Sequence, residues 1–184
     1  VSSRARVRRT AVALPLVCSL LLVAPACGGG GKKESKSEAS PTTSAEKQKF
    51  AKTRFVANAG LAAGATYKWI VKPYKEGAFK KGEKGRVKAL AKAALAGTFT
   101  YNRLKAAKKN AEGDPTLSKA LAPVAAGIES LKGLPGKLKN GDSVDGDVNN
   151  YQDVINKVKD AGKSAGAEVK DKTPSSSELT HSGG

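Results

Sequence analysis

"DGDVNNYQDVINKVKDAGKSA", residues 145–165, spaces Val148, Tyr151, Ile155, Val158, Gly162 and Ala165 by three and four positions. That interval places all six on one face of a helix, whereas a strand would scatter them over both of its faces. Asp145 and Asp147 at the front of the stretch suit the positive end of a helix dipole. The chain is therefore expected to start a helix near Asp145 and hold one apolar face to Ala165.

The same periodicity continues upstream. Asp114-Pro115 offers an N-cap followed by proline in the first turn. Leu117, Leu121, Val124, Ile128 and Leu131 then repeat at three and four. Pro123 predicts a kink in this helix, and Gly133 with Pro135 predicts its end or a break. Before it, a helix is expected over about 84–111, closed by Gly113, and another over about 46–72, stopped by Pro73. Period-two patterns are scarce. The fold class expected is all-α, with four helices in an antiparallel bundle over residues 46–172.

The first two helices have a composition of their own. Residues 55–67 and 93–102 carry no charge and are crowded with Ala and Gly, and Gly60 and Gly64 are four apart. Small residues at that spacing let backbones approach closely, in a membrane or in a tight core. Thirteen helical residues rise only about 20 Å, against a hydrocarbon layer of about 30 Å. The comparison favours a packed core over a membrane-inserting hairpin.

The ends of the chain differ from this domain. Residues 1–10 hold Arg4, Arg6, Arg8 and Arg9 and no acid, and residues 11–26 are apolar apart from Ser19. A basic head, a short apolar run and small exit residues suit a secretory signal peptide. Ala24-Pro25-Ala26-Cys27 resembles the lipobox of bacterial lipoproteins. The resemblance covers targeting only, within about the first 30 residues. It implies cleavage between Ala26 and Cys27 and a diacylglyceryl group on Cys27, so that the membrane is a partner through a lipid anchor at its extracytoplasmic face. Residues 27–45 then read as a flexible tether. Residues 28–46, "GGGGKKESKSEASPTTSAE", lack aromatic and branched aliphatic side chains and would span about 25 Å on average. Residues 173–184 read as a disordered tail that contains the only histidine, His181.

Charge is the strongest feature of the remainder. The chain is +17 overall and +13 without the four arginines of residues 1–26. Residues 47–110 hold seventeen basic residues against Glu76 and Glu83, while residues 111–184 are slightly acidic. Eight of the nine aromatics lie in the basic half. Its densest stretch, "KPYKEGAFKKGEKGRVK" (72–88), sets Lys72, Lys75, Lys80, Lys81, Lys84, Arg86 and Lys88 around Tyr74 and Phe79. This composition suits a polyanion, anionic lipid or wall polymer, with the rings against lipid or sugar. Solubility alone would also use such lysines.

Chemistry-bearing patterns are sparse. Cys18 would leave with the signal peptide and Cys27 would carry lipid, so no thiol and no domain imidazole is at hand for nucleophilic or general-base work. Asp145-x-Asp147-x-Asn149 starts like a calcium loop, but Asn150 stands where Gly is needed and Asn156 where a bidentate Glu is needed. The expectation is a non-enzymatic binding or structural lipoprotein without metal or cofactor. A subunit of an envelope protein complex is the alternative. A nucleic-acid binder or an enzyme ranks below both, since an exported address argues against nucleic acid.

Overall fold

The computed structural model describes residues 43–181, and among these there are helices and turns but no strand. Helix α1 (Ser44–Thr66) opens with a capping box: the Glu46 amide donates to Thr43 Oγ1 (3.2 Å) and the Thr43 amide to Glu46 Oε2 (3.0 Å). Sequence periodicity stops this helix at Pro73, but the chain stays helical past it. A π-helical turn (Tyr67–Val71) precedes α2 (Lys72–Lys75), which contains the proline. The wider turn removes the need for a proline N–H and relieves the ring's clash with the preceding turn. The helix ends at Gly77, whose φ of 79° suits glycine. There the Ala78 amide donates to Pro73 O and the Gly77 amide to Tyr74 O, both at 2.9 Å, a Schellman closure.

Helix α3 (Arg86–Ala111) follows close to the expected bounds. The third stretch is more broken than expected: α4 (Pro115–Leu121), α5 (Ala125–Ser130) and α6 (Leu134–Asn140) are joined by 3-10 turns at Ala122–Val124 and Leu131–Gly133. Gly133 and Pro135 mark a break, not an end, because Pro135 sits in the first turn of α6, where its missing N–H costs nothing. The stretch stops at Gly141, with φ 73°. Helix α7 (Val144–Ser164) buries Val148, Tyr151, Ile155, Val158 and Gly162, the face its spacing predicts, and Ala165 just beyond it is buried too. Leu117, Leu121, Val124, Ile128 and Leu131 are all buried.

α1 and α3 run antiparallel, as paired positions show. Thr66 Oγ1 lies 3.1 Å from Thr100 Oγ1, and Arg103 donates to Asn58 Oδ1 (3.3 Å). Buried Ala59, Ala62, Ala63, Ala93 and Ala96 make this a small-residue core, as expected. Among the described residues no helix is long and apolar enough to cross a membrane. α7 packs against α1 with Phe55 beside Gly162, where a methyl group would come within 2.9 Å of the ring. Lys52 ties three elements together. Its Nζ donates to Ala165 O (2.8 Å) and lies 3.6 Å from the buried Asp114 carboxylate, which caps α4 by accepting from the Leu117 amide (2.8 Å).

The C-terminal segment departs from expectation. Of the residues read as a disordered tail, 173–184, those up to His181 are ordered, and 182–184 lie outside the described residues. An extended run crosses α1, where the Lys172 amide donates to Gly60 O (2.8 Å), and leads into α8 (Ser176–His181) with Leu179 buried. Ser175 and Glu178 cap α8 through their backbone amides (2.7 and 3.3 Å). Lys159 Nζ reaches Asp171 Oδ1 at 2.8 Å and pins the run to α7. Gly60 and Gly64 thus admit this strap's backbone: a methyl group on Gly60 would lie 2.6 Å from Lys170 O, and one on Gly64 would lie 2.7 Å from Thr173 N. Within the stretch that composition alone marks as unstructured, Pro174 and Leu179 are buried, and Val169 just before it is buried too.

Candidate polyanion-binding face

Ala26 and Cys27, with the whole of residues 1–42, lie outside the described residues. The basic stretch 72–88 lies within them, and its members separate into two kinds. Lys72, Lys75, Lys80, Lys81, Lys84 and Lys88 are exposed. Lys72 pairs with Glu76 one helical turn on (3.8 Å), with both side chains more than half exposed, so the pair contributes little to stability. Arg86 instead turns inward: Nε donates to Phe79 O (2.9 Å) and an Nη to Gly141 O (3.1 Å). It clamps the 76–85 turn onto the end of α6.

Tyr74 and Phe79, expected to face lipid or sugar, do not. Phe79 is buried, and Tyr74 is half-buried with its ring centroid 6.5 Å from that of Phe79. A hydrogen bond to Asp145, then burial, raises the Tyr74 phenol above its ordinary range. The rings therefore seat the turn on the start of α7, because buried aromatic area is worth more inside the fold than in water. Gly77, Gly82 and Gly85 all have positive φ and let the lysine-bearing turn fold tightly over these two rings.

The aromatic platform lies beside the turn. Trp69, in the π-helical turn, lines an open groove of about 390 Å³ with Lys68, Lys72, Lys88 and Lys92. Lys68 Nζ lies 5.1 Å and Lys92 Nζ 5.5 Å from the Trp69 ring centroid, within cation–π range. Glu76 is the one acid on the groove's lining. Four cations around an indole can hold a phosphodiester-bearing surface by charge while offering it an apolar wall. The sequence contains the signal for this: Trp69 and Lys72 are three apart on one helix, and Lys88 and Lys92 are four apart on the next. That the two helices present them to one groove is a matter of antiparallel pairing, which spacing within either helix does not carry.

Among the described residues, the buried side-chain atoms without a hydrogen-bond partner include Trp69 Nε1, Tyr151 OH and Asp147 Oδ2. Tyr151 OH faces Gly97 of α3, and Asp147 Oδ2 lies one turn earlier on α7. Burial raises the Asp147 carboxyl above the usual range, with Lys137 pulling it back in part. Burial, then the Asp147 charge, pushes the Tyr151 phenol well above its ordinary value. Among the described residues, no group of three or more His, Cys, Asp or Glu is placed to hold a metal ion. No known protein family, characterised protein or solved structure matches this chain.

Proposed function

We propose that this chain is an exported lipoprotein held at the outer face of the membrane through Cys27. Its helical domain, taken as an antiparallel four-helix bundle fastened by the C-terminal strap, has a non-enzymatic binding role. It holds phosphodiester-bearing polyanions of the envelope, whether lipid headgroups or wall polymer, on the basic face formed by the 72–88 turn and the Trp69 groove. The observation that carries this reading is the meeting of Lys68, Lys72, Lys88 and Lys92 around Trp69, on the half of the chain that holds seventeen basic residues and two acids.

Two measurements test it. Intact mass of the chain from a membrane fraction should show loss of Val1–Ala26 and a diacylglyceryl adduct on Cys27, and Cys27→Ala should release or leave unprocessed protein. A free Cys27 on otherwise mature chain refutes the anchor. For the face, the full chain in detergent should elute from immobilised polyphosphate only at raised salt. Replacing Lys68, Lys72, Lys88 and Lys92 by Gln should lower that salt concentration far more than the same change at Lys157, Lys159, Lys163 and Lys170, which have acids around them. Equal losses from the two sets would mean that net charge alone is being read.

A further inference from the structure

The lysines account for attraction to any polyanion, but they leave two exposed aliphatic side chains unexplained. Val87 is 80% exposed and Leu95 46% exposed, at the N-terminal half of α3. With Ala91 they are spaced by four and so form one ridge along the helix. Lys88 and Lys92, each one position on, flank the ridge on the side of the Trp69 groove. On its other side a second open groove, about 380 Å³, runs past Ala94, Thr98 and Pro135 to Lys139. No acidic residue occurs anywhere in α3. An apolar ridge with Lys88 and Lys92 along one flank and Lys139 beyond the other, on a helix without acids, has the make-up of a helix that lies in a membrane interface.

We infer that the N-terminal half of α3 docks on an anionic lipid bilayer, with Val87 and Leu95 entering the boundary between headgroups and acyl chains. This rests on the polyanion reading and chooses among its ligands. A hydrated wall polymer satisfies the lysines and leaves Val87 and Leu95 in water, whereas a bilayer receives both. From Val87 to Leu95 the ridge is about 12 Å long, suited to lying in the plane and too short to span. Each lysine near an anionic surface strengthens partitioning about fivefold, and partial burial of the two ridge side chains adds about tenfold.

Trp69 is the only tryptophan of the chain, and it lies on the Lys88–Lys92 flank of the ridge. Its quenching by brominated acyl chains therefore reads the domain's depth and not the insertion of residues 11–26. The full chain should be quenched on vesicles of brominated phosphatidylcholine with phosphatidylglycerol, and not on brominated phosphatidylcholine alone. Val87→Ser with Leu95→Ser, both at exposed positions, should weaken this about tenfold while leaving helix content and elution from polyphosphate unchanged. Wild-type quenching in that double variant overturns the docking and leaves the polyanion reading standing. So does binding of the unaltered chain to polyphosphate with no quenching on anionic vesicles, which would assign the face to polymer. Loss of both bindings in the unaltered chain refutes the polyanion reading itself. A dimer that the double variant converts to monomer, with vesicles ignored by both, assigns the ridge to a protein interface and likewise overturns the inference.

Discussion

Gly64→Ala sets two effects of opposite sign against each other. Alanine inside a helix is favoured over glycine by up to about 1 kcal/mol. At this position the added methyl carbon would overlap the Lys172 carbonyl and lie 2.7 Å from the Thr173 amide nitrogen. Both are backbone atoms, so the strap must lift. Lifting breaks the Lys172 amide bond to Gly60 O, worth about 1 kcal/mol. It also loosens Val169 and Leu179, now 5% and 7% exposed, at about 1.5–3 kcal/mol for each side chain fully released. Partial release costs about 2–4 kcal/mol, so the clash outweighs the propensity gain and the variant should be about 1–3 kcal/mol less stable. For a domain of this size that lowers Tm by several degrees. Gly146→Ala in α7 is the control, since a methyl group there meets nothing within 4 Å and should be neutral to stabilising. Thermal unfolding followed by circular dichroism, with amide exchange across 167–173, reads both. A Gly64→Ala protein as stable as the unaltered chain, with the Lys172 amide still protected, would refute the seating of the strap on α1.

Asp147→Asn should stabilise the domain at pH 7 and bring no gain near pH 3. The folded-state pKa is raised, so between the unfolded and folded values the native state binds more protons and stability falls as pH rises. The penalty on the ionised carboxylate is absent below the ordinary carboxylate range of about 3.9 and full above the folded value. Unfolding midpoints of the two proteins across pH 3–8 check this, and a constant difference would refute it. Arg86→Gln should cost about 1–3 kcal/mol, because the Phe79 and Gly141 carbonyls lose their donors. Lys81→Gln, at an exposed position, should change stability by less than about 0.5 kcal/mol. Equal effects in urea titrations would place Arg86 among the surface cations after all.

The all-helical class was legible in the sequence because amphipathic spacing is a local property. The faces of residues 117–131 and 148–165 are buried as their intervals of three and four require. The concentration of cations in residues 47–110 was equally plain, since charge is additive along a chain. What spacing could not carry was which groups meet across elements. Pro73 failed to stop its helix because a π turn absorbed it. Gly60 and Gly64 admit a strap more than a hundred residues away in sequence, which in turn orders residues that composition marks as a tail. The same limit applied to the basic face. Tyr74, Phe79 and Arg86 belong by position to the lysine-rich stretch, but the fold draws them inward, where burial and unpaired carbonyls reward them. Trp69 lies outside that stretch, and antiparallel pairing of its helix with α3 brings it between Lys68 and Lys92. Local periodicity decided the elements. Long-range packing, where buried area and satisfied carbonyls outweigh position in the chain, decided which residues are left on the surface.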